Sequence, residues 1–286
     1  MISMRPGVYA QAAVDALNEA ARAASDVVGR GGYAIDLFNG YLSWANDHAR
    51  ILGSILRHDH LDKLITTKRY WTLQGLDPAA YGMALGNFVR LELQERQSAL
   101  STAAKAIASD LAIWNGLGGE KLHAAVLDTN VLLRHHDELH SFDWHGHLDL
   151  DPHVPVGLAV PIVVVNELDK NKLNHRKMRV RDEGVEVSSL ARQALRSLDS
   201  LFEGGQERVK LARVQPGEKD AIADTWALLL IDDYDHVPLA RPDAEIIDRA
   251  LSLSAFVPHV SVITYDRGLF FEARRSQLHA VRLDES

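Results

Sequence analysis

Four acidic residues stand where a carboxylate could do chemistry. Asp128 directly follows the apolar run Ala124 to Leu127, and Asp266 follows Val260 to Thr264 with one residue between. Asp243 opens the stretch DAEIIDRAL, and Glu167 lies within VPIVVVNELDKNK. Short apolar runs are the sequence form of strands buried on both faces. A residue just past such a strand sits at the carboxyl edge of an α/β sheet, which is where ligands bind. Carboxylates are hard oxygen donors and suit Mg²⁺ or Mn²⁺ better than soft ions. Each of the four also has a plain structural use. Asp128 or Asp243 could cap a helix, and Glu167 could be a solvated helix residue. Position alone leaves both readings open for any one of them.

The segments AAVLDTNVLL, VPIVVVNELDKNK, PDAEIIDRAL and VSVITYDRGL occur in that order. Together they resemble the PIN-domain family over roughly 124–284: a strand-end D-x-N, a Glu-Leu on the second helix, an Asp before a helix, and a T-x-D after a late strand. The run ELDKNK followed by ARQALRSLD is most similar to the larger PIN domains, including those fused to PhoH-type ATPases. No Walker motif is present, so that ATPase partner is missing from the sequence. The resemblance implies Asp128, Glu167, Asp243 and Asp266 as catalytic and metal-binding carboxylates, with Mg²⁺ or Mn²⁺ as cofactor. It implies that Asn130 orients Asp128 or a bound water, and that Thr264 supports Asp266. The implied activity is endonucleolytic hydrolysis of single-stranded RNA. Such chemistry must activate a water and stabilise a leaving oxygen, and two divalent ions about 3.5–4 Å apart do both. Carboxylates crowded without metal repel, so some of their pKa values should rise. Asp248, five residues after Asp243, is expected to point elsewhere on its helix.

Two rival readings stay open. One is a structure-specific DNA nuclease of the same fold. The other is a non-catalytic nucleic-acid-binding adaptor. A toxin with an antitoxin-like protein partner ranks lower, because such toxins resemble a lone PIN domain and this chain carries a long stretch ahead of it.

The elements that must position these residues change character near residue 116. Before it, residues 8–29 and 33–56 place apolar side chains at helical spacing. A third helix starts at Asp77 and Pro78, a cap followed by a residue suited to the first helical position, and runs to Trp114. This is an all-α N-terminal domain, 1–115. Gly116, Gly118 and Gly119 then read as a linker, 116–123. From 124 to 286 strands alternate with helices. Strands are expected at 124–127, 156–160, 209–214, 225–231, 260–264 and 280–283, and helices at 161–171, 185–203, 243–253 and 267–276. That alternation predicts an α/β fold with a mainly parallel sheet and helices on both faces, and the family resemblance implies the three-layer, PIN-like (Rossmann-like) form of it.

Composition narrows the partners. With 47% hydrophobic and 24% charged residues among 286, the chain can bury a substantial core. It contains no cysteine, which excludes disulfides and zinc-thiolate sites. Asp15 and Glu19 interrupt the Ala-rich start and no run reaches the roughly 20 apolar residues of a membrane helix, so neither a signal peptide nor a membrane partner is expected. The reading is cytoplasmic. Thirty-one Lys plus Arg against 39 Asp plus Glu give a net charge of -8, which argues against passive coating of nucleic acid.

A basic run, Lys170, Lys172, Arg176, Lys177, Arg179 and Arg181, follows Glu167. It reads as a phosphate-contacting surface in preference to plain solvated polarity. The His-rich stretch 135–153 matches no ligand signature and reads as a polar loop. The cluster Lys68 to Trp71 reads as the cap of a helical core rather than a base-stacking site. The third helix packs within its own domain or pairs with a second copy, so homo-oligomerisation is left open.

Overall fold

A computed structural model describes residues 3–30, 33–181, 183–211, 223–232 and 236–284. The chain divides into two compact units, Met1–Ile113 and Trp114–Ser286. Among the described residues no helix is long and apolar enough to cross a membrane.

The first unit is helical: α1 (Ala10–Gly29), α2 (Ala34–Gly53), α3 (His58–Leu64), α4 (Lys68–Gln74) and α5 (Pro78–Gly116). Its core is built from Leu17, Tyr41, Leu52, Leu73, Leu93 and Leu100, all fully buried. Trp44 on α2 donates its indole N–H to the Ala20 carbonyl of α1 at 3.0 Å. Glu92 is fully buried as well, which is tolerable because Arg96 and Arg69 approach it at 3.0 and 3.2 Å and Thr67 donates to it. Three helices were expected here and five are found. The short α3 and α4 carry too few turns for a periodic apolar stripe. The long helix is also broken at Gly82 (φ 47°, ψ -130°), a conformation that glycine enters without a Cβ clash. In the Lys68–Trp71 cluster, Tyr70 is buried and donates to Asn46, Arg69 pairs with Glu92 and Glu95, and Trp71 is exposed.

Residues 116–123, read as a linker, hold the end of α5, a 3₁₀ turn at Gly119–Lys121 and the first residue of the next strand. Beyond them run β1 (His123–Leu127), α6 (Thr129–His135), α7 (Trp144–Leu148), β2 (Val156–Pro161), α8 (Ile162–Asn171), β3 (Lys177–Val180), β4 (Glu183–Glu186), α9 (Val187–Leu201), β5 (Arg208–Leu211), β6 (Thr225–Leu230), α10 (Pro242–Leu253), β7 (His259–Thr264), α11 (Arg267–Arg275) and β8 (His279–Arg282). Of the strand expected at 209–214, residues 212–214 lie outside the described residues. The helix expected from 185 begins at Val187, because residues 183–186 instead form β4 of a hairpin with β3. KMRV alternates charged and apolar residues over only four positions, and EGVE has one apolar side chain, Val185, too little to mark a hairpin.

Six strands form one sheet in the order β5-β6-β2-β1-β7-β8, and every pair is parallel except β5 with β6. β1 is buried along its whole length, as helix-covered parallel strands are. From β1 the chain builds one side of the sheet through β2 and β6, then returns to lay β7 on the other side. The switch point is therefore the crevice between β1 and β7 at their carboxyl ends, the place where open α/β sheets bind ligands.

Candidate active site

The crevice is occupied by the expected carboxylates. Asp128 sits at the N-cap position of α6 with extended backbone (φ -78°, ψ 158°), yet its side chain makes no capping bond. Its Oδ2 instead accepts from Thr264 Oγ1 at 2.7 Å and from Asn130 Nδ2 at 3.3 Å. The register that pairs Leu127 with Ile263 makes this contact, since it carries Asp128 alongside the end of β7. Thr264 is fully buried, and its hydroxyl also accepts from the Asp266 backbone N–H at 2.8 Å. One threonine thus ties the D-x-N segment to the T-x-D segment. Asp266 caps α11, its Oδ1 accepting from Leu269 N–H at 2.9 Å. Glu167, in the second turn of α8, accepts from Thr129 Oγ1 at 2.6 Å, from the residue next to Asp128. Asp243 is the second residue of α10, behind Pro242.

Electrostatics links the four in pairs. Burial pushes the Asp128 carboxyl up to about 6, against the pull of its Thr264 and Asn130 hydrogen bonds, and the charge of Glu167 adds to the rise. Asp243 is raised by burial and then by the charge of Asp266. Among the described residues neither Asp128, Glu167 nor Asp266 has an ion pair, while Asp243 has Arg241 at 3.8 Å. Arg241 is itself bonded to Glu272. The site is a set of oxygen donors short of positive charge. That donor set fits a hard divalent cation, which would offset both the burial that raises Asp128 and Asp243 and the smaller repulsion from their acidic neighbours.

A second acidic cluster escaped the sequence reading. Among the described residues, Asp232, His236 and Glu245 are the group of three whose ligand atoms lie within 4.8 Å of one another, and the four carboxylates above do not meet that spacing. Yet Glu245, fully buried, accepts from His236 Nε2 at 2.7 Å and Leu239 N–H at 2.8 Å. Arg249 then reaches both Glu245, at 3.2 Å, and Asp232, at 3.0 Å. An internal guanidinium already neutralises this cluster. It fastens the residues before α10 to that helix, and Asp248 pairs with the same arginine. Its sequence shows only Glu245 two positions after Asp243 and Arg249 four positions further on, with nothing to mark the glutamate as buried.

Beside the carboxylates lies a cavity of about 500 Å³. Asn130 and Asp266 line it, and so do Arg176, Lys177 and Arg179 from the β3–β4 hairpin and its approach. The hairpin is held to the end of α6: Arg134 donates to the Arg179 carbonyl at 2.8 Å, and Arg181 pairs with Asp137 and Glu138. The six-residue basic run therefore divides. Arg176, Lys177 and Arg179 face the cavity, Arg181 braces the hairpin, Lys172 pairs with Asp169, and Lys170 lies on the last turn of α8. Tyr265, between Thr264 and Asp266, lines the same cavity with the Arg134 guanidinium 4.5 Å from its ring centre.

The His-rich stretch has other work. His135 bonds Glu138 and the Tyr265 hydroxyl, and His145 bonds the Val154 carbonyl.

The family model for the PIN domain matches residues 125–284. No curated protein matches the chain.

Proposed function

The chain belongs to the PIN-domain family, whose members are generally nucleases, and from that premise we propose that it is a divalent-metal-dependent endoribonuclease acting on single-stranded RNA. The observation that carries this reading is Asp128: buried, raised to about 6, fixed by Thr264 and Asn130, and beside Glu167 with no basic side chain paired to either among the described residues. Asp128, Glu167, Asp243 and Asp266 would hold Mg²⁺ or Mn²⁺. Bound there, such ions supply Lewis acidity and ease the deprotonation of an attacking water. The chain's own part is orientation. Thr264 holds Oδ2 of Asp128 and the backbone of Asp266 in one geometry, and Thr129 holds Glu167 beside them. Arg176, Lys177 and Arg179 would take backbone phosphates, which position a nucleic acid without reading its sequence.

The choice of RNA over DNA rests on family resemblance. Labelled single-stranded RNA and DNA, each incubated with the protein in Mg²⁺, Mn²⁺ or EDTA, test it. Internal cleavage of RNA in either metal and none in EDTA is expected. Preferential cleavage of DNA would transfer the assignment to a DNA nuclease. Binding without cleavage, by protein shown to be folded, would leave a nucleic-acid-binding adaptor.

A further inference from the structure

We propose that the cavity beside the carboxylates is a subsite for the base of one unpaired nucleotide, so that the fold itself demands single-stranded substrate. The inference rests on the nuclease reading for the class of ligand. Its geometry stands apart from the metal chemistry.

The first observation is a hydrogen-bond chain whose direction is fixed. The Arg176 backbone N–H can only donate, and it donates to Asn174 Oδ1 at 3.1 Å. The amide of Asn174 must then point its Nδ2 the other way, where it donates to Asn171 Oδ1 at 3.2 Å. This leaves the NH₂ group of Asn171 without a partner among the described residues, as a donor in the cavity that Asn171 lines. Asn130 is oriented just as firmly in the opposite sense. Its Nδ2 donates to the Asp128 carboxylate, which can only accept, so its Oδ1 is the atom left over. The cavity therefore offers both a donor and an acceptor. A phosphate has only acceptors to offer and would meet Asn130 Oδ1 unfavourably. The Watson–Crick edge of a nucleobase carries both kinds of group, and it is open to a protein only when the base is unpaired.

The second observation is the division of the lining by chemistry. Arg176 and Lys177 are exposed and form no ion pair among the described residues. They suit the phosphate of the same nucleotide. Met178 and the Tyr265 ring, both half-buried, supply apolar surface on which a base can lie. A site for phosphate alone would need neither the amides nor the apolar side chains. The volume, about 500 Å³, lies in the range of pockets that enclose a small ligand. Because Arg134 pins the hairpin through the Arg179 carbonyl, the wall is formed before a ligand arrives, which lowers the ordering cost of binding. Asn130 and Asp266 belong to both the cavity and the carboxylate site, so the base received here neighbours the phosphate at the carboxylates.

The test is binding by the full chain in EDTA, where nothing turns over. Calorimetric titration uses the four nucleoside 5′-monophosphates, ribose 5-phosphate and inorganic phosphate as probes. At least one nucleoside monophosphate should bind about tenfold more tightly than ribose 5-phosphate. Asn171→Asp keeps the bond from Asn174 and replaces the donors with acceptors. It should remove that advantage, a loss of about five- to tenfold for one hydrogen-bonding group, and leave ribose 5-phosphate binding no tighter than before. Lys177→Ala should weaken all the phosphorylated probes together. Equal binding of ribose 5-phosphate and the nucleotides would overturn the proposal and leave an anion site. So would undetectable nucleotide binding, or an Asn171→Asp variant that keeps the advantage of the base. Protein that cleaves RNA in Mn²⁺ but shows no base-dependent binding loses the subsite and keeps the nuclease. Protein that binds nucleotides this way and cleaves nothing loses the nuclease and keeps the subsite.

Discussion

At the amino end of β1, His123 bonds the buried Ser261 hydroxyl of β7 at 2.7 Å, and the same hydroxyl meets His279 Nδ1 of β8 at 2.7 Å. The His259 ring lies nearly parallel to that of His123, with centres 6.1 Å apart. At the carboxyl end of the same strand, Asp128 bonds the buried Thr264 hydroxyl of β7, and that hydroxyl also receives the Asp266 N–H. Both clusters are polar groups gathered round one hydroxyl of β7. Their charges differ. Burial, with His259 and His279 close by, lowers the His123 pKa to about 4, so His123 is neutral at pH 7 and needs no charged partner. At the carboxylate end, Asp128 and Asp266 form no ion pair among the described residues. The Asp232–His236–Glu245 group, which has the tighter ligand spacing, is neutralised by Arg249. Closeness of ligand-type side chains is thus a poorer guide to chemistry than missing counter-charge.

Several substitutions can break that contrast, the strongest at the carboxylates. Asp128→Asn keeps the shape and removes the charge, so cleavage in Mg²⁺ or Mn²⁺ should fall more than about a hundredfold, beyond what loss of a mere supporting group costs. The protein should stay folded by circular dichroism and lose no thermal stability in EDTA. Asp128→Asn with Asp266→Asn should be little worse than either alone, because residues acting as a unit are not additive. Wild-type cleavage by folded Asp128→Asn would sink the assignment.

Thr264→Val comes next. It removes the bond to Asp128 and the acceptor for Asp266 N–H while preserving volume, and activity should drop roughly 10–100-fold. Steady-state rates with the variant at saturating Mn²⁺ measure this, and an unchanged rate would show that Thr264 merely fills space.

The amino end predicts an acid effect. His123 titrates near 6.5 when unfolded and near 4 when folded. Between those values the unfolded chain binds a proton that the folded chain refuses, so stability falls as pH drops from about 6.5 to about 4 and flattens below. The loss from this group is at most roughly 3 kcal/mol. Asp128 opposes it: held near 6, it binds a proton in the folded state first, so acid favours folding between about 6 and its ordinary range. Urea unfolding in EDTA at pH 7 and pH 4.5 should show a smaller acid loss in His123→Gln than in wild type, and a larger one in Asp128→Asn. Identical losses in all three would remove both ends from the pH account.

The smallest effect concerns metal and the neutralised cluster. Mn²⁺ at a hundred times its dissociation constant should stabilise the folded chain by about 2.7 kcal/mol. Asp128→Asn should diminish that gain and His236→Gln should leave it intact. The reverse pattern would put the ion at Asp232, His236 and Glu245.

Much of this was legible in the sequence, for physical reasons. A strand buried on both faces writes itself as an unbroken apolar run, so the ends of β1 and β7, and with them Asp128 and Asp266, could be located to the residue. Asp243 was legible because Pro242 marks a helix start. The β3–β4 hairpin was not, since its charged strands are held by backbone pairing and by Arg134 and Arg181, long-range contacts that leave no local pattern. Its cavity was hidden for the same reason. Glu245 and Arg249 are four apart on α10, a spacing that surface ion pairs share. Only the fold reveals that Glu245 is fully buried.

The bond from Thr264 to Asp128 joins residues 136 apart in the chain. During synthesis at about 5–20 residues per second, roughly 7 to 27 seconds separate the making of its two ends. Throughout that interval Asp128 and Glu167 exist without Thr264 or Asp266, and β1 lacks the neighbour that seals the crevice. Under the proposed activity this delay would act as a safeguard. The growing polypeptide hangs beside its own messenger, and its carboxylate site stays incomplete until β7 and the start of α11 have been made.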